Sequence, residues 1–422
     1  MESRGKDIKV ILDGNEVRAC EGETILDVAA REGISIPTLC HDPLLKPFAS
    51  CFLCVVEVKG MKGLQPSCCT PVHDAMEITT SDDKIRKARR TALELILSNH
   101  YADCIGPCRL TCPAGVNVQG YISLVEKGMY HEAIALIKEA NPLPAICGRV
   151  CVRPCELVCR RQLLENGCGV GIDYLKRYAA DKDLENETFI PLTAPDTGKR
   201  IAIIGAGPAG LSAAYWLRLK GHTCHIFEAA PLPGGWLRYG IPEYRLPNEI
   251  LDKEIKEITD LGVRIYCGKK LGTVVDYREM AENYDATIIT VGSQLGTRLG
   301  CKGDEAGGVM PGIYFLRDME LTGVKPDLTG KAVIVVGGGN TAMDCCRTAV
   351  RCNAESVKVV YRRTEAEMPA NIIEIEESKT EGVEYLFLTN PAEVIKDEKG
   401  FVRELVLQRM SLGEPDASGR RR

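Results

Sequence analysis

The sequence predicts an α/β protein in which a cysteine-rich part precedes two units of strand, glycine-rich turn and helix. The two units start near Arg200 and Lys331, and in each a run of apolar residues leads directly into the glycines. The third observation concerns cysteine, because fourteen of the 20 cysteines lie before residue 169, in short runs. With 422 residues and a hydrophobic fraction of 45%, the chain is long enough for roughly three or four domains.

The charge and hydropathy patterns exclude several kinds of partner. The net charge is only −5, both signs are interspersed and the terminal SGRRR is short, so we expect no nucleic-acid partner. No apolar stretch approaches about 18 residues, and MESRGKDIKV lacks the apolar core of a signal peptide, so we expect a cytoplasmic protein without a membrane span. In that compartment, crowded cysteines indicate metal ligation rather than disulfides. Nine cysteines outside the regular runs are predicted to be ordinary buried or free thiols: Cys20, Cys69, Cys168, Cys224, Cys267, Cys301, Cys345, Cys346 and Cys352.

Residues 1–81 are predicted to form a small β-grasp domain with one iron–sulfur cluster. Residues 7–18 alternate apolar and polar side chains around Asp-Gly-Asn, which is typical of a β-hairpin, and Thr24 can cap the helix that follows. Four cysteines then occur with gaps of ten, two and thirteen residues, a set that suits one 2Fe-2S cluster. The alternative is zinc, since tetrahedral sulfur ligation suits either metal. The predicted ligands are Cys40, Cys51, Cys54 and Cys68.

The phrases CFLCVVEV and SCCTPV, together with these gaps, resemble the N-terminal 2Fe-2S domain of two protein families. These are the large iron–sulfur subunit of respiratory complex I and the iron-only hydrogenases. The resemblance implies that Cys68, rather than the adjacent Cys69, is the fourth ligand.

Residues 82–186 are predicted to form a helical domain that carries two 4Fe-4S clusters. Residues 82–99 have helical periodicity and form a connector that leads to His100. Two cysteine runs with three-residue gaps follow, separated by an amphipathic helical insert, and with His100 they supply eight ligands. Structural zinc sites are the alternative, but zinc runs favour two-residue gaps. The cysteines are Cys104, Cys108, Cys112, Cys147, Cys151, Cys155 and Cys159.

Two further resemblances concern this domain. HYADC resembles the complex I subunit, in which such a histidine ligates a 4Fe-4S cluster; the alternative is an ordinary surface or core histidine. CPAGVNVQGY and ICGRVCVRPCE resemble the glutamate synthase small subunit and the N-terminal domain of dihydropyrimidine dehydrogenase. The resemblance implies a near cluster, beside the flavin, held by Cys112, Cys151 and Cys155, and a far cluster held by Cys104, Cys108 and Cys159.

Each of these clusters then lacks a fourth ligand. In the resembled family a side-chain oxygen completes the near cluster, but the matching residue is Lys176, a cation without an acceptor atom. We expect Cys147 to replace it and His100 to complete the far cluster.

After a linker over residues 182–198, residues 187–328 are predicted to form a Rossmann-type dinucleotide-binding domain. KRIAIIGAGPAGLSAAYWL has the fingerprint, in which Gly205 allows the tight turn, Gly207 lets the backbone approach a pyrophosphate, and Gly210 permits close helix packing. Ala209 lies in the same turn. Glu228 ends the second strand, where a carboxylate meets a ribose hydroxyl.

PGGWLRYGIPEYRLP resembles the segment that lies along FAD in the same family, so the resemblance implies FAD at this first site. Ordinary loop packing is the alternative for each residue alone. The implied flavin contacts are Val150, Gly235, Leu237, Arg245 and Leu271.

Residues 329–422 are predicted to form a second Rossmann-type domain, for NADP(H). Gly337 and Gly339 occupy fingerprint positions, and Asn340 and Thr341 open the helix. The second strand ends in Arg362 and Arg363, where arginine binds a 2′-phosphate and an acid would repel it; solvated surface arginines are the alternative. In the resembled family the chain later returns to finish the FAD domain, and since no such segment is present we expect a shortened sequence; an FAD site that is completed in another way is the alternative.

These predictions describe an NADP(H)-dependent iron–sulfur flavoprotein oxidoreductase with FAD, one 2Fe-2S cluster and two 4Fe-4S clusters. No proton-transfer residue is needed, because hydride exchange takes place at the flavin. The three-part order indicates a subunit of a hetero-oligomer. The resemblance of the 2Fe-2S domain implies a flavoprotein that oxidises NADH, and ferredoxin, as partners, as in an electron-bifurcating transhydrogenase or a related formate or hydrogen enzyme. The alternatives are a glutamate synthase small subunit and a non-catalytic electron-transfer scaffold.

Overall fold

The chain folds into two compact units, residues 1–105 and residues 106–422. The computed structural model describes residues 6–43, 45–100, 105–164, 167–186, 188–415 and 421. Within these ranges no helix is both long and apolar enough to cross a lipid bilayer. The predicted ligand Cys104 lies outside the described residues.

The first unit is a mixed sheet with two helices. Its described strands are hydrogen-bonded in the order β2-β1-β5-β3-β4, with β1 parallel to β5 and antiparallel to β2. This arrangement confirms the predicted β-grasp fold. The elements are β1 (Asp7–Leu12), β2 (Asn15–Cys20), α1 (Ile25–Arg31), β3 (Val55–Val58), β4 (Leu64–Pro66), β5 (Glu77–Thr79) and α2 (Asp83–Ser98).

Local sequence explains the start of this unit. Asp13 and Gly14 turn the predicted hairpin with φ values of 47° and 84°, and Thr24 caps α1 by accepting a hydrogen bond from the Asp27 backbone N–H at 3.2 Å. Strand alternation places Val10 and Leu12 in a core with Val28 and other apolar residues.

The predicted helix over residues 82–99 is present as α2 and is part of the first unit. Asp82 caps it by accepting from the Ile85 N–H, and the Arg89 guanidinium donates to the carbonyls of Val55 and Thr80 at 2.7 and 2.9 Å. These bonds attach α2 to strand β3, so the helix packs on the sheet rather than standing apart as a connector.

The second unit begins with a helical part that carries the central cysteines. Tyr121 is 1% exposed and donates to the Ile172 carbonyl at 2.8 Å, within a core that includes Ile134, Ile137 and Ala179. The predicted helical insert corresponds to two helices. The α-helices are α3 (Pro107–Thr111), α4 (Val118–Glu126), α5 (Tyr130–Lys138), α6 (Pro144–Val150), α7 (Pro154–Leu157) and α8 (Ile172–Glu185).

Helix α8 ends at Glu185 and so includes the first residues of the segment 182–198 that was predicted to be a linker. The reason is Asp183, which is only 4% exposed. Its carboxylate accepts the Phe189 N–H at 3.0 Å and lies 2.9 Å from His131 Nδ1, so tertiary contacts hold the last helical turn. The sequence signal for a linker was compositional and could not include these contacts.

The first glycine-rich unit forms a parallel sheet, as predicted. Its described strands are ordered β8-β7-β6-β9, so the chain reverses direction across the sheet next to β6. The elements are β6 (Arg200–Ile204), α9 (Pro208–Leu219), β7 (Thr223–Phe227), α10 (Trp236–Tyr239), α11 (Asn248–Asp260), β8 (Arg264–Tyr266), α12 (Tyr277–Asn283) and β9 (Ala286–Ile289).

The second glycine-rich unit is also parallel, with the described strands in the order β10-β11-β12. Strands β13 and β14 follow as an antiparallel pair. The elements are α13 (Gly312–Thr322), β10 (Ala332–Val336), α14 (Asn340–Arg351), β11 (Ser356–Tyr361), α15 (Ile372–Thr380), β12 (Glu384–Phe387), β13 (Thr389–Lys396) and β14 (Val402–Arg409).

Candidate cofactor sites

The four cysteines predicted to bind the two-iron cluster meet in the first unit. Hydrogen bonds from the Ser50 side chain and from the backbone of Cys51 lower the pKa of Cys40 to about 7. Burial, together with contact between the Cys68 and Cys54 sulfurs, raises the pKa of Cys68 to about 12. Four thiols of this kind suit an iron–sulfur cluster, because thiolates are its usual ligands.

The backbone around these cysteines is tightly held. The Ser67 N–H donates to the Cys54 carbonyl at 3.1 Å, and the Leu26 N–H of α1 donates to the Ser67 carbonyl at 3.1 Å. Ala49 and Phe52 adopt left-handed φ values of 52° and 55°, which are uncommon for residues with a side chain. The strand ends and α1 therefore fix the loop that presents the thiols.

Replacing Cys68 with serine should remove the two-iron cluster, whereas replacing Cys69 should not. Cys68 is buried beside Cys54, while Cys69 is exposed and its sulfur lies 3.7 Å from the Pro66 carbonyl. The measurement is iron content and the visible absorbance of the two anaerobically reconstituted variants. We expect Cys68→Ser to lose about two iron atoms per chain relative to Cys69→Ser. Equal iron loss in both variants would contradict the assignment.

No cluster of three or more His, Cys, Asp or Glu side chains in the described ranges is arranged around a single metal ion. An iron–sulfur cluster places several irons and sulfides between its ligands, so the thiols that hold one surround a larger space. The described cysteines are free thiols, as expected of residues that ligate metal or stay reduced, and the nine cysteines outside the runs are among them.

The central cysteines form two neighbouring groups in the second unit. Burial raises the pKa of Cys108, and the nearby Cys159 and Cys112 contribute. Burial and the neighbouring Cys151 raise the pKa of Cys155 to about 11. Two sulfurs accept backbone hydrogen bonds: Cys151 from the Arg153 N–H at 3.3 Å and Cys159 from the Val170 N–H at 3.5 Å. Amide donors directed at sulfur stabilise thiolate charge, so these residues fit cluster ligands.

The two proposed fourth ligands have different surroundings. Cys147 lies near Cys151 but donates its thiol to Asn141 Oδ1 at 3.6 Å, and burial raises its pKa to about 11. His100 is exposed at the end of the first unit. Both assignments stay predictions, as do the individual ligands of the near and far clusters. Lys176 is paired with Asp173 at 2.6 Å.

Helix α6, which carries Cys147, is anchored in the first nucleotide-binding unit. The Glu254 carboxylate of α11 accepts the N–H groups of Ala145 and Ile146 at 2.7 and 2.9 Å, and Lys138 forms an ion pair with Glu257 at 2.6 Å. Val150, one of the predicted flavin contacts, packs against the core of that unit. The cysteine-bearing helix and the first glycine turn therefore share one hydrophobic core.

The first glycine turn has no room for side chains at two of its three glycines. A Cβ on Gly210 would lie 1.9 Å from the Gly205 carbonyl oxygen, and one on Gly205 would lie 2.5 Å from the Thr290 carbonyl oxygen. Gly205 also has φ = 107°, which favours glycine. At Gly207, by contrast, the nearest atom is 3.9 Å away, so this position is open toward the space where a pyrophosphate would lie.

Glu228 is fixed directly after strand β7. It is 8% exposed, and its two carboxylate oxygens accept the N–H groups of Ala206 and Ala230 at 2.7 and 2.8 Å. The acid therefore stabilises the glycine turn itself, in addition to its predicted contact with ribose. Ala209 lies in the first turn of α9.

The loop around Gly235 packs on the same turn. A Cβ on Gly235 would lie 2.8 Å from the Gly207 Cα, and the Gly234 N–H donates to the Ala206 carbonyl at 2.9 Å. Leu237 is buried in the core of this unit, and Leu271 packs against the neighbouring cluster beside Ile204. The structure thus brings the predicted contacts Gly235 and Leu237 to the first glycine turn.

The second glycine turn shares the left-handed first glycine and the open second glycine with the first turn. Gly337 has φ = 136°, nothing lies within 4 Å of a Cβ on Gly339, and Asn340 Oδ1 accepts the Asn371 N–H at 2.9 Å. Thr341 lines a small pocket beside the turn.

The two predicted phosphate-binding arginines differ in burial. Arg362 is exposed directly after β11, whereas Arg363 is 5% exposed. Arg362 is therefore better placed to meet a phosphate that arrives from solvent.

Arg245, a predicted flavin contact, lies in a buried cluster of charges between the two nucleotide-binding parts. Its guanidinium lies 2.6 Å from Asp344 Oδ1 and 2.9 Å from Glu374 Oε1. Arg347 of α14 pairs with the same Glu374 and with Glu381. The sequence does not reveal Asp344, Glu374 or Arg347 as partners of Arg245; its one signal is the series of acids in α15.

Two parallel sheets with glycine turns, preceded by grouped thiols, define an iron–sulfur flavoprotein oxidoreductase that uses a nicotinamide cofactor. The chain belongs to the pyridine nucleotide-disulphide oxidoreductase family, whose model matches residues 199–416. A 2Fe-2S iron-sulfur cluster binding domain matches residues 5–83, and dihydropyrimidine dehydrogenase domain II, 4Fe-4S cluster, matches residues 80–188. The matches confirm the predicted class and the predicted cofactors FAD, NADP(H), 2Fe-2S and 4Fe-4S, whereas the number of clusters stays a prediction.

Three curated relatives share about three quarters of the chain. The NADP(+)-dependent formate dehydrogenase subunit beta of Moorella thermoacetica is 43% identical over 75% of this chain and 48% of its own length. The NADPH-Fe(3+) oxidoreductase subunit beta of Geobacter sulfurreducens (strain DL-1 / KN400) is 40% identical over 75% of this chain and 47% of its own length. The glutamate synthase [NADPH] small chain of Escherichia coli (strain K12) is 36% identical over 75% of this chain and 69% of its own length. The chain spans about half the length of the first two relatives.

Proposed function

We propose that this chain transfers electrons between NADP(H) and a redox protein partner, through FAD, two 4Fe-4S clusters and one 2Fe-2S cluster. FAD, when bound, supplies the exchange between hydride chemistry at nicotinamide and single-electron transfer to the clusters. The residues of the chain position these groups: the two glycine turns accept the dinucleotides, and the grouped thiols hold the clusters.

The observation that carries this proposal is the shared core of α6 and the first glycine-rich unit. Leu143, directly before α6, and Ile146 of α6 belong to the same hydrophobic cluster as Leu211 and Leu237. Cys147 and Cys151 lie within and directly after this helix. A cluster held there would therefore lie next to the flavin site, as short-range electron transfer requires.

NADPH should be preferred over NADH because of Arg362. Loss of a charge-assisted contact with the 2′-phosphate costs about 1.5 to 3 kcal/mol, which is about tenfold to a hundredfold in binding. We expect Arg362→Ala to weaken the binding of NADPH by that factor and to leave the binding of NADH unchanged. Anaerobic titration of the flavin absorbance with each cofactor measures both. Arg403→Ala, at an exposed arginine of β14, is the control. Equal titration by both cofactors in the unmodified chain would refute the preference.

The partner is proposed to dock at the first unit, around the two-iron site. Four apolar side chains near the cysteines Cys40 and Cys51 are largely exposed, with Phe48 the most exposed at 84%. A groove of about 690 Å³ continues from Cys51 along α2. An exposed apolar surface of this kind marks a protein contact. The four side chains are Leu39, Leu45, Phe48 and Phe52.

The proposed partner is a redox subunit of an electron-bifurcating transhydrogenase or of a related formate- or hydrogen-oxidising enzyme. The relative named as a formate dehydrogenase beta subunit supports this class. The two-iron domain favours it over a glutamate synthase partnership, because the small subunit of glutamate synthase, as the resemblance has it, begins near the 4Fe-4S cysteines. A flavoprotein that oxidises NADH, or ferredoxin, would complete such an assembly.

The test is to isolate the tagged full chain anaerobically with its associated subunits and to assay NADP⁺ reduction by the complex. Cys54→Ser should abolish the coupled reaction, because it interrupts the path at the two-iron site, while NADPH still bleaches the flavin. A complex whose coupled activity is unchanged by Cys54→Ser would overturn the proposed path.

A further inference from the structure

A group of buried charges lies beside the central cysteines and takes no part in the functions described above. The Asp173 side chain is 1% exposed, and Lys176 Nζ lies 2.6 Å from its Oδ1. Arg153 Nε lies 3.3 Å from its Oδ2, so one carboxylate serves two cations. A further acid, Glu156, accepts the Asp173 backbone N–H at 2.8 Å.

Helix packing places Lys176 next to the cysteines. Helices α6 and α8 meet backbone to backbone, because a Cβ on Gly148 would lie 2.7 Å from the Arg177 Cα. Gly148 directly follows Cys147, and Arg177 directly follows Lys176. Arg149 of α6 also binds Asp181 of α8 at 2.7 Å, which fixes the register of the two helices.

The Lys176 side chain is 12% exposed, so water screens its charge poorly. A buried ammonium group is costly unless negative groups compensate it, and Asp173 is shared with Arg153. The thiols of Cys147 and Cys151 also lie close to Lys176. Thiolates around a cluster would add further negative charge beside this ammonium group.

We propose that Lys176 is the counter-cation of the near 4Fe-4S cluster and raises its reduction potential. This proposal rests on the proposed function, since it requires a cluster at Cys151 and its neighbours. When the cluster takes up one electron and no proton, it becomes more negative. A fixed positive charge nearby stabilises that reduced form, so electrons pass more favourably from the flavin to the cluster.

Two substitutions test the sign of the effect in the full chain. Lys176→Gln removes the positive charge and should lower the midpoint potential of the near cluster. Asp173→Asn removes the negative partner and should raise it. We expect a change of about tenfold or more in the equilibrium constant for reduction, which is about 59 mV for one electron. The measurement is a potentiometric titration followed by electron paramagnetic resonance.

Two further variants separate charge from packing. Lys176→Arg keeps the charge, so the potential should equal that of the unmodified chain. Arg177→Gln removes the adjacent cation of the same helix, which is 49% exposed, and should change the equilibrium constant for reduction by less than about twofold. If Lys176→Gln loses the cluster, Asp173→Asn still decides the sign of the effect.

Two outcomes distinguish the inference from the function on which it rests. A near cluster whose potential is unchanged in Lys176→Gln and Asp173→Asn, or shifts the same way in both, overturns the role of Lys176. An iron-loaded chain in which no 4Fe-4S signal can be observed overturns the proposed function itself.

Discussion

Gly210→Ala is expected to prevent the first nucleotide-binding unit from folding normally. A methyl group at this position would lie 1.9 Å from the Gly205 carbonyl oxygen and 2.8 Å from Thr290 Oγ1. The carbonyl is backbone and cannot move without opening the turn, so the cost should reach about 3 kcal/mol or more. The temperature of thermal unfolding and the flavin content should both fall.

Gly207→Ala is the matched control in the same turn. The nearest atom to the added methyl group would be the Gly235 Cα at 3.9 Å, so the surrounding protein atoms leave room for it. The methyl group would instead occupy the space of the FAD pyrophosphate. We expect an almost unchanged unfolding temperature and a loss of bound flavin. Equal destabilisation by both variants would show that the turn is not built as described.

Arg245→Met should destabilise the chain by about 3 to 5 kcal/mol, because it removes the cation paired with the buried Asp344 and one of the cations paired with Glu374. The Arg245, Asp344 and Glu374 side chains are 8, 6 and 10% exposed. The control is Lys302→Met, which breaks the exposed pair with Glu393 and should change stability little. Urea unfolding of the two variants measures the difference.

The defect of Arg245→Met should also depend on pH. Burial raises the pKa of Asp344 to about 6, and Arg245 opposes this effect. Without Arg245 the pKa should rise further, and a raised folded-state pKa means stability that is present in acid and lost as the pH rises through that value. The variant should therefore be less impaired at pH 5 than at pH 8. A flavin contact alone would give no such dependence.

The sequence predicted the glycine turns well because their signals are local. A strand, the glycines 205, 207 and 210 and the following helix occupy one short segment, and their spacing alone defines the turn. The same holds for the hairpin at Asp13 and the capped helix at Thr24, since each depends on neighbours within a few residues.

The long-range polar contacts could not be predicted in this way. Arg245 meets Asp344 across 99 residues, and Glu254 caps α6 across 109 residues from Ala145. An arginine or glutamate in isolation carries no sign of such a partner. The resemblance therefore implied only a flavin contact for Arg245, whereas the structure shows that it also pairs with Asp344 and Glu374.

The most direct measurement is anaerobic reduction of the iron-loaded full chain by NADPH, followed by electron paramagnetic resonance and iron analysis. One 2Fe-2S and two 4Fe-4S clusters predict about ten iron atoms per chain. They also predict that cluster signals grow as the flavin is reduced. Zinc in place of iron, about two irons per chain, or clusters that stay oxidised beside a fully reduced flavin would contradict the proposed electron path.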